Sequence, residues 1–172
     1  MAYKILSLDG GGSWALIQAR VLLDIYGDIG GHQLLHEFDM VISNSGGSLV
    51  LACLCNDMKL SETMEVFENE QIRKQIFSRL TFIEELEPSR MMALVRKLIG
   101  IGPKYSTERK LKGLIEILTD KDHLYKEGKI QKPIIQTNMN ELPPIIGKPD
   151  LQLLIVGFDY VKEREVFSAL TG

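Results

Sequence analysis

A chain of 172 residues is long enough for one domain with a sizeable core, and 45% hydrophobic against 25% charged residues is the balance of an ordinary globular protein. A net charge of −3 with no basic block excludes the electrostatic footprint of a nucleic-acid binder, so no nucleic acid is expected as a partner. The opening MAYKILSLDGGG holds too few apolar residues for a signal-peptide core or a membrane span, and the chain reads as intracellular.

In chain order, Ile5 to Leu8 is a short apolar run that stops at DGGGS, as a buried strand would. Trp14 to Tyr26 follows as a mostly apolar helix stopped by Gly27. Met40 to Ile42 repeats the strand pattern, and Leu49 to Cys55 is apolar all round, which suits a buried helix. Two strand-turn-helix units predict a parallel sheet with helices on its faces. Ser61 to Phe77 reads as one helix. Ser89 starts another, in which Met91, Leu94, Val95, Leu98 and Ile99 form an apolar stripe closed by Gly100. Two isoleucines on the glycine-rich LIGIGP (Leu98 to Pro103) read as core, with contact to a lipid surface as the alternative. Ser106 or Thr107 caps a further helix with Leu111, Leu114, Ile115 and Leu118 on one face. Strands are then expected at Ile134 to Thr137, Leu151 to Phe158 and Glu165 to Ser168. No linker divides the chain, so residues 1–172 are expected to form a single domain.

The polar residues offer few metal or redox sites. Cys53 and Cys55 lie two apart on a helix and point to different sides, so both read as buried small hydrophobes. His32 and His36 are four apart, yet the H-E-x-x-H pattern and a third ligand are missing, so a solvated pair near a helix end is expected and no metal. His123 falls in a charged surface connection.

The two glycine-rich turns carry the chemistry. Gly10, Gly12 and Ala15 satisfy G-x-G-x-x-A between a strand and a helix, but the next strand ends in Ser43 and Asn44 with no acid to hold a ribose. The other reading of DGGGS is an oxyanion site, because successive glycine N–H groups at a helix mouth accept a negative oxygen with no side chain in the way. Asp9 is read as a cap or brace of that loop. In SNSGG, Ser45 stands where a nucleophile elbow of the form G-x-S-x-G places its serine, with Ser43 and Gly47 as the small flanks. Ser43 and Ser48 lack that frame. Both turns leave the carboxyl ends of parallel strands, so one pocket can draw on both.

LSLDGGGSWALIQARVLLDIYG (Leu6 to Gly27) and FDMVISNSGGS (Phe38 to Ser48) resemble the oxyanion-loop and serine-elbow segments of the patatin-like phospholipase family, with weaker similarity onward to FDYVKEREVFSA. The resemblance implies a three-layer α/β/α sandwich with a mostly parallel central sheet. It also implies a lipid acyl hydrolase using a serine-aspartate dyad, with no catalytic histidine, cofactor or metal. Ser45 would be the nucleophile, and Gly10, Gly11 and Gly12, joined by Gly46, would supply the oxyanion N–H groups. Implied with it are a phospholipid or lipid ester substrate, a cytoplasmic protein peripheral to a membrane surface, and a regulatory domain or partner outside this chain. The sequence departs from the family at Trp14, where arginine is usual, and at Ser43, where glycine is usual. It also lacks the later D-G-G or D-G-A motif of the dyad aspartate, which none of Asp57, Asp120, Asp122, Asp150 and Asp159 matches. The chain is therefore expected to stop short of its general base and to be nearly inert alone. The rival expectation is a module without catalysis, either a pseudoenzyme keeping only the pocket or a nucleotide or phosphate binder using the first turn.

Overall fold

The computed structural model describes residues 2–77, 107–159 and 164–170. β1 (Ile5–Leu8) leads through a 3₁₀ turn (Gly12–Ala15) into α1 (Leu16–Tyr26), then α2 (Gly31–Leu35) and β2 (Met40–Asn44). α3 (Ser45–Cys55), α4 (Leu60–Glu68), α5 (Glu70–Phe77), α6 (Thr107–Asp120) and α7 (His123–Lys126) follow. Two more 3₁₀ turns (Ile134–Gln136 and Met139–Glu141) and α8 (Leu142–Ile146) lead to β3 (Gln152–Asp159) and β4 (Arg164–Leu170). The four strands form one sheet in the order β1-β2-β3-β4, parallel except for β4, which runs antiparallel to β3. The expected mostly parallel sheet with flanking helices is thus present. Among the described residues no helix is long and apolar enough to cross a membrane.

Register decides where the core lies. Leu6, Val41 and Leu153 stand abreast, as do Leu8, Ser43 and Ile155 one step of two residues further on. Strand side chains alternate faces, so all six share one face of the sheet. Leu8, Val41 and Leu153 are buried there beneath α3, whose Leu49, Val50, Leu51, Cys53, Leu54 and Cys55 are buried as well. The other face is less covered among the described residues, with Ile42, Leu154 and Val156 half-buried and Ile5 exposed. Burial pushes the Cys53 and Cys55 thiols up to about 12, so both stay protonated and unreactive at neutral pH.

Four local expectations change. The helix read over Ser61 to Phe77 is two, because Asn69 leaves the helical conformation and its Oδ1 accepts the N–H groups of Gln71 and Ile72, capping α5. On α6 the buried hydrophobic residues among those described are Ile117 and Leu118, with Leu114 packed partly, whereas Leu111 and Ile115 are exposed. Ile134 to Thr137 is not a strand. Pro133 has no N–H to give a ladder, and the N–H groups of Gln136 and Thr137 close onto the Pro133 and Ile134 carbonyls. His36 is exposed at the end of α2 and His32 half-buried, but neither is bonded to solvent alone: each donates from Nε2 to a carbonyl, His32 to Cys55 and His36 to Ile146, both at 2.8 Å. They tie α2 to α3 and α8. The stripe Met91 to Ile99 and the loop Leu98 to Pro103 lie outside the described residues.

Asp122 is fully buried, and its two oxygens accept the N–H groups of Tyr125 at 3.0 Å and Ile134 at 2.8 Å. One carboxylate thereby caps α7 and takes the donor with which a strand at Ile134 would have begun. Asp122→Ala is expected to cost about 2 to 4 kcal/mol, the loss of a cap plus a buried charge-assisted bond. Asp122→Asn should cost less, since one acceptor oxygen remains. A lowered urea midpoint at unchanged slope would register both.

Candidate active site

β1 and β2 are parallel, so their carboxyl ends meet at one edge of the sheet, and the two glycine-rich turns begin there. No residue separates β2 from α3: Asn44 is extended, at φ −143° and ψ 154°, and Ser45 already opens the helix. Such an abrupt reversal forces Ser45 to φ +45°, which among the described non-glycine residues only Asp57 matches in sign. A side chain in that region costs roughly 1 to 3 kcal/mol and persists only where packing imposes it. Ser45→Gly is accordingly expected to stabilise the fold by about 1 kcal/mol, raising the melting temperature by roughly 2 to 4 °C in a thermal unfolding scan.

Three glycines allow the turns to approach closely, two against backbone and one against side chains. A β-carbon on Gly47 would stand 2.0 Å from the Leu8 carbonyl oxygen, and one on Gly46 would stand 2.4 Å from the Gly12 carbonyl oxygen. A β-carbon on Gly10 would be 2.7 Å from Asn44 Oδ1 and 3.2 Å from the Ser45 β-carbon. The loop after β1 is therefore packed against the serine. Gly11 at φ 136° and Gly12 at φ 60° bend that loop through conformations that side chains rarely adopt. Its base is held by Gln18, whose amide accepts the Asp9 N–H and donates to the Asp9 carbonyl, both at 2.8 Å. The Asp9 carboxylate does not cap the helix; it accepts from the Ser7 hydroxyl at 3.3 Å. Gln18 was legible only as one polar residue on an apolar helix, and its partner is backbone, which sequence pattern cannot indicate.

The loop offers donors to a negative oxygen. Among the described residues no acceptor takes the N–H of Gly10 or Gly11. Gly46 lies in the first turn of α3, where N–H groups have no acceptor within the helix and the helix dipole adds partial positive charge. Ser45 is exposed at this mouth, and no described side chain hydrogen-bonds its hydroxyl. Ser43 is buried and Ser48 donates to it at 3.1 Å, so those two hydroxyls are engaged with each other.

No carboxylate among the described residues is bonded to Ser45. Asp57 accepts the His32 N–H at 2.9 Å, Asp120 faces Lys126, and Asp122 is committed as above. Asp159 ends β3, and the Asp150 side chain precedes that strand. His123 lies 3.6 Å from Glu62, on the α4 side. Among the described residues no group of three or more His, Cys, Asp or Glu could hold a metal.

Compared with known proteins, residues 6–157 match the family model described as patatin-like phospholipase. No curated protein and no solved structure gives a significant match.

Proposed function

Because the chain belongs to the patatin-like phospholipase family, whose activity is lipid acyl hydrolysis, we propose that it carries the nucleophile and oxyanion half of a serine hydrolase acting on phospholipid or related lipid esters. The observation that supports this best is Ser45 held at φ +45° with Gly10 packed against its β-carbon. An elbow that strains a serine and places glycine N–H groups beside it is built for acyl transfer.

In the proposed reaction an aspartate takes the Ser45 proton as Oγ attacks the ester carbonyl. The carbonyl oxygen becomes an oxyanion on the N–H groups of Gly10, Gly11, Gly12 and Gly46. Collapse of the tetrahedral intermediate breaks the ester bond, and the departing alkoxide takes the proton from the aspartate. Water then enters by the same route and attacks the acyl carbonyl as it loses a proton to the aspartate; collapse breaks the bond to Ser45 Oγ, which takes that proton back from the aspartate, and the fatty acid leaves. Each oxyanion donor is worth roughly 3 to 4 kcal/mol of barrier. The aspartate belongs to a later aspartate-glycine motif that the 172 residues do not contain. Turnover is therefore proposed for a polypeptide that carries it, working at a membrane surface under a regulatory domain or partner, with no cofactor.

Fatty-acid release from phospholipid vesicles by a polypeptide that includes such a motif tests the reading. Release that depends on Ser45 supports it. No release, together with thermal stabilisation by a nucleotide, would favour the phosphate-binding alternative instead.

A further inference from the structure

A cavity of about 260 Å³ lies on the β3 side of α3, lined by Ser48, Leu51, Ala52 and Cys55 of the helix, by Leu153 and Ile155 of the strand, and by Ile134 among others. Its walls are hydrocarbon apart from the hydroxyls of Ser48 and Thr137 and a protonated thiol. An apolar cavity of about 150 Å³ already takes up benzene, so this one has room for an alkyl chain. Ser48, Leu51, Ala52 and Cys55 are spaced i, i+3, i+4 and i+7, which makes them one continuous stripe down α3. The stripe begins one turn below Ser45, a rise of about 4.5 Å along the axis.

The two flanks of Ser45 differ. Gly46 and Gly47 turn toward the end of β1 and the glycine loop, which brings the donors to that side. An acyl group on Ser45 whose oxygen lies on those donors must send its chain away from them, because the substituents of a carbonyl carbon spread about 120° apart. The cavity lies on the β3 side of α3, away from those donors, with Ser48 at its near end. The hydroxyls at the near end, Ser43 and Ser48, are bonded to each other, and Ile155 is the register partner of Ser43. A passing chain therefore strips no unpaired polar group of water.

We infer that this cleft between α3 and β3 receives the alkyl chain of the acyl group and limits its length. The inference rests on Ser45 being the acylated residue. It names an alkyl chain, which an ester or a free fatty acid would equally supply, and two arms of one experiment separate the cleft from the chemistry. In the first, a medium-chain fatty acid with a terminal diazirine is photolysed with the full chain, its Ser45→Ala variant and its Ala52→Phe variant, and the crosslinked peptides are mapped. Crosslinks are expected on the peptides holding Ala52 to Cys55 and Leu153 to Ile155, undiminished in Ser45→Ala and about tenfold weaker in Ala52→Phe. In the second arm, alkyl fluorophosphonates from ethyl to octyl are compared on a polypeptide that also carries the later aspartate motif, each buried methylene adding roughly fourfold to the rate of Ser45 labelling. The octyl-to-ethyl ratio should fall in Ala52→Phe, and in Ala52→Leu if the larger residue prevents folding. Crosslinks elsewhere, or a folded Ala52 variant with unchanged uptake, would overturn the cleft even if Ser45 labels. Crosslinks in place with Ser45 unreactive would uphold an alkyl site and count against the hydrolase reading.

Discussion

Ser45→Ala is expected to remove lipid ester hydrolysis almost entirely, by about 10⁴ to 10⁶ in kcat with little change in KM, because in the proposed reaction the residue supplies the bond-forming atom and contributes little to holding lipid. Nearby groups cannot take over. Ser43 is buried and bonded to Ser48, and Ser48 is fixed within α3. Cys53 and Cys55 are buried thiols raised to about 12, so almost no thiolate exists at neutral pH. The variant should fold normally, since the lost hydroxyl has no described partner and alanine keeps the β-carbon that the elbow already tolerates. Fatty-acid release by the wild type and the variant, each carrying the later aspartate motif, measures the effect. A residual rate above about one part in a hundred would mean that another residue is the nucleophile.

Gly47→Ala is the second large effect, and it falls on stability. Its added methyl would stand 2.0 Å from the Leu8 carbonyl oxygen, 2.4 Å from the Leu8 carbonyl carbon and 2.8 Å from the Asp9 carbonyl oxygen. All three are backbone atoms at the end of a paired strand, so no side-chain rotation relieves the clash, and β1 and α3 must part by about an ångström. A loss of roughly 4 kcal/mol or more is expected, a large part of the 5 to 15 kcal/mol that a domain has in total. Urea unfolding should show a much lower midpoint or no cooperative transition. Gly46→Ala is expected to be milder: its nearest atom, the Gly12 carbonyl oxygen at 2.4 Å, belongs to a short 3₁₀ turn and not to a paired strand. Gly46→Ala should therefore impair acylation more than folding. If Gly47→Ala unfolded like the wild type, the close crossing at the elbow would be wrong.

Both glycine effects were legible in SNSGG and DGGGS, because an elbow needs small residues wherever strand and helix cross, and that demand is local. The same holds for α3 and for Cys53 and Cys55, where an unbroken apolar run leaves burial as the one outcome. Ile134 to Thr137 misled for the opposite reason. Its β-branched pair favours a strand, but the donor that would start one is taken by Asp122, twelve residues earlier in sequence. His32 and His36 likewise bond to carbonyls twenty-three and more than a hundred residues away, contacts that no periodicity encodes. On α6, Leu111 and Ile115 fit an apolar face by spacing, whereas the neighbours actually packed there select Ile117 and Leu118. The two glycine-rich turns were readable because what shapes them is local. Their supports, Gln18 above all, lie in contacts between backbone and side chain.

Intact-mass analysis after treatment with a fluorophosphonate, on a polypeptide carrying the aspartate motif beside its Ser45→Ala variant, decides whether Ser45 is the activated nucleophile. One adduct per chain is expected, mapped to Ser45, absent from the variant, and formed more slowly by about a thousandfold or more in the 172 residues alone. An adduct that survives in Ser45→Ala, or none on a folded polypeptide that carries the aspartate, would contradict Ser45 as that nucleophile.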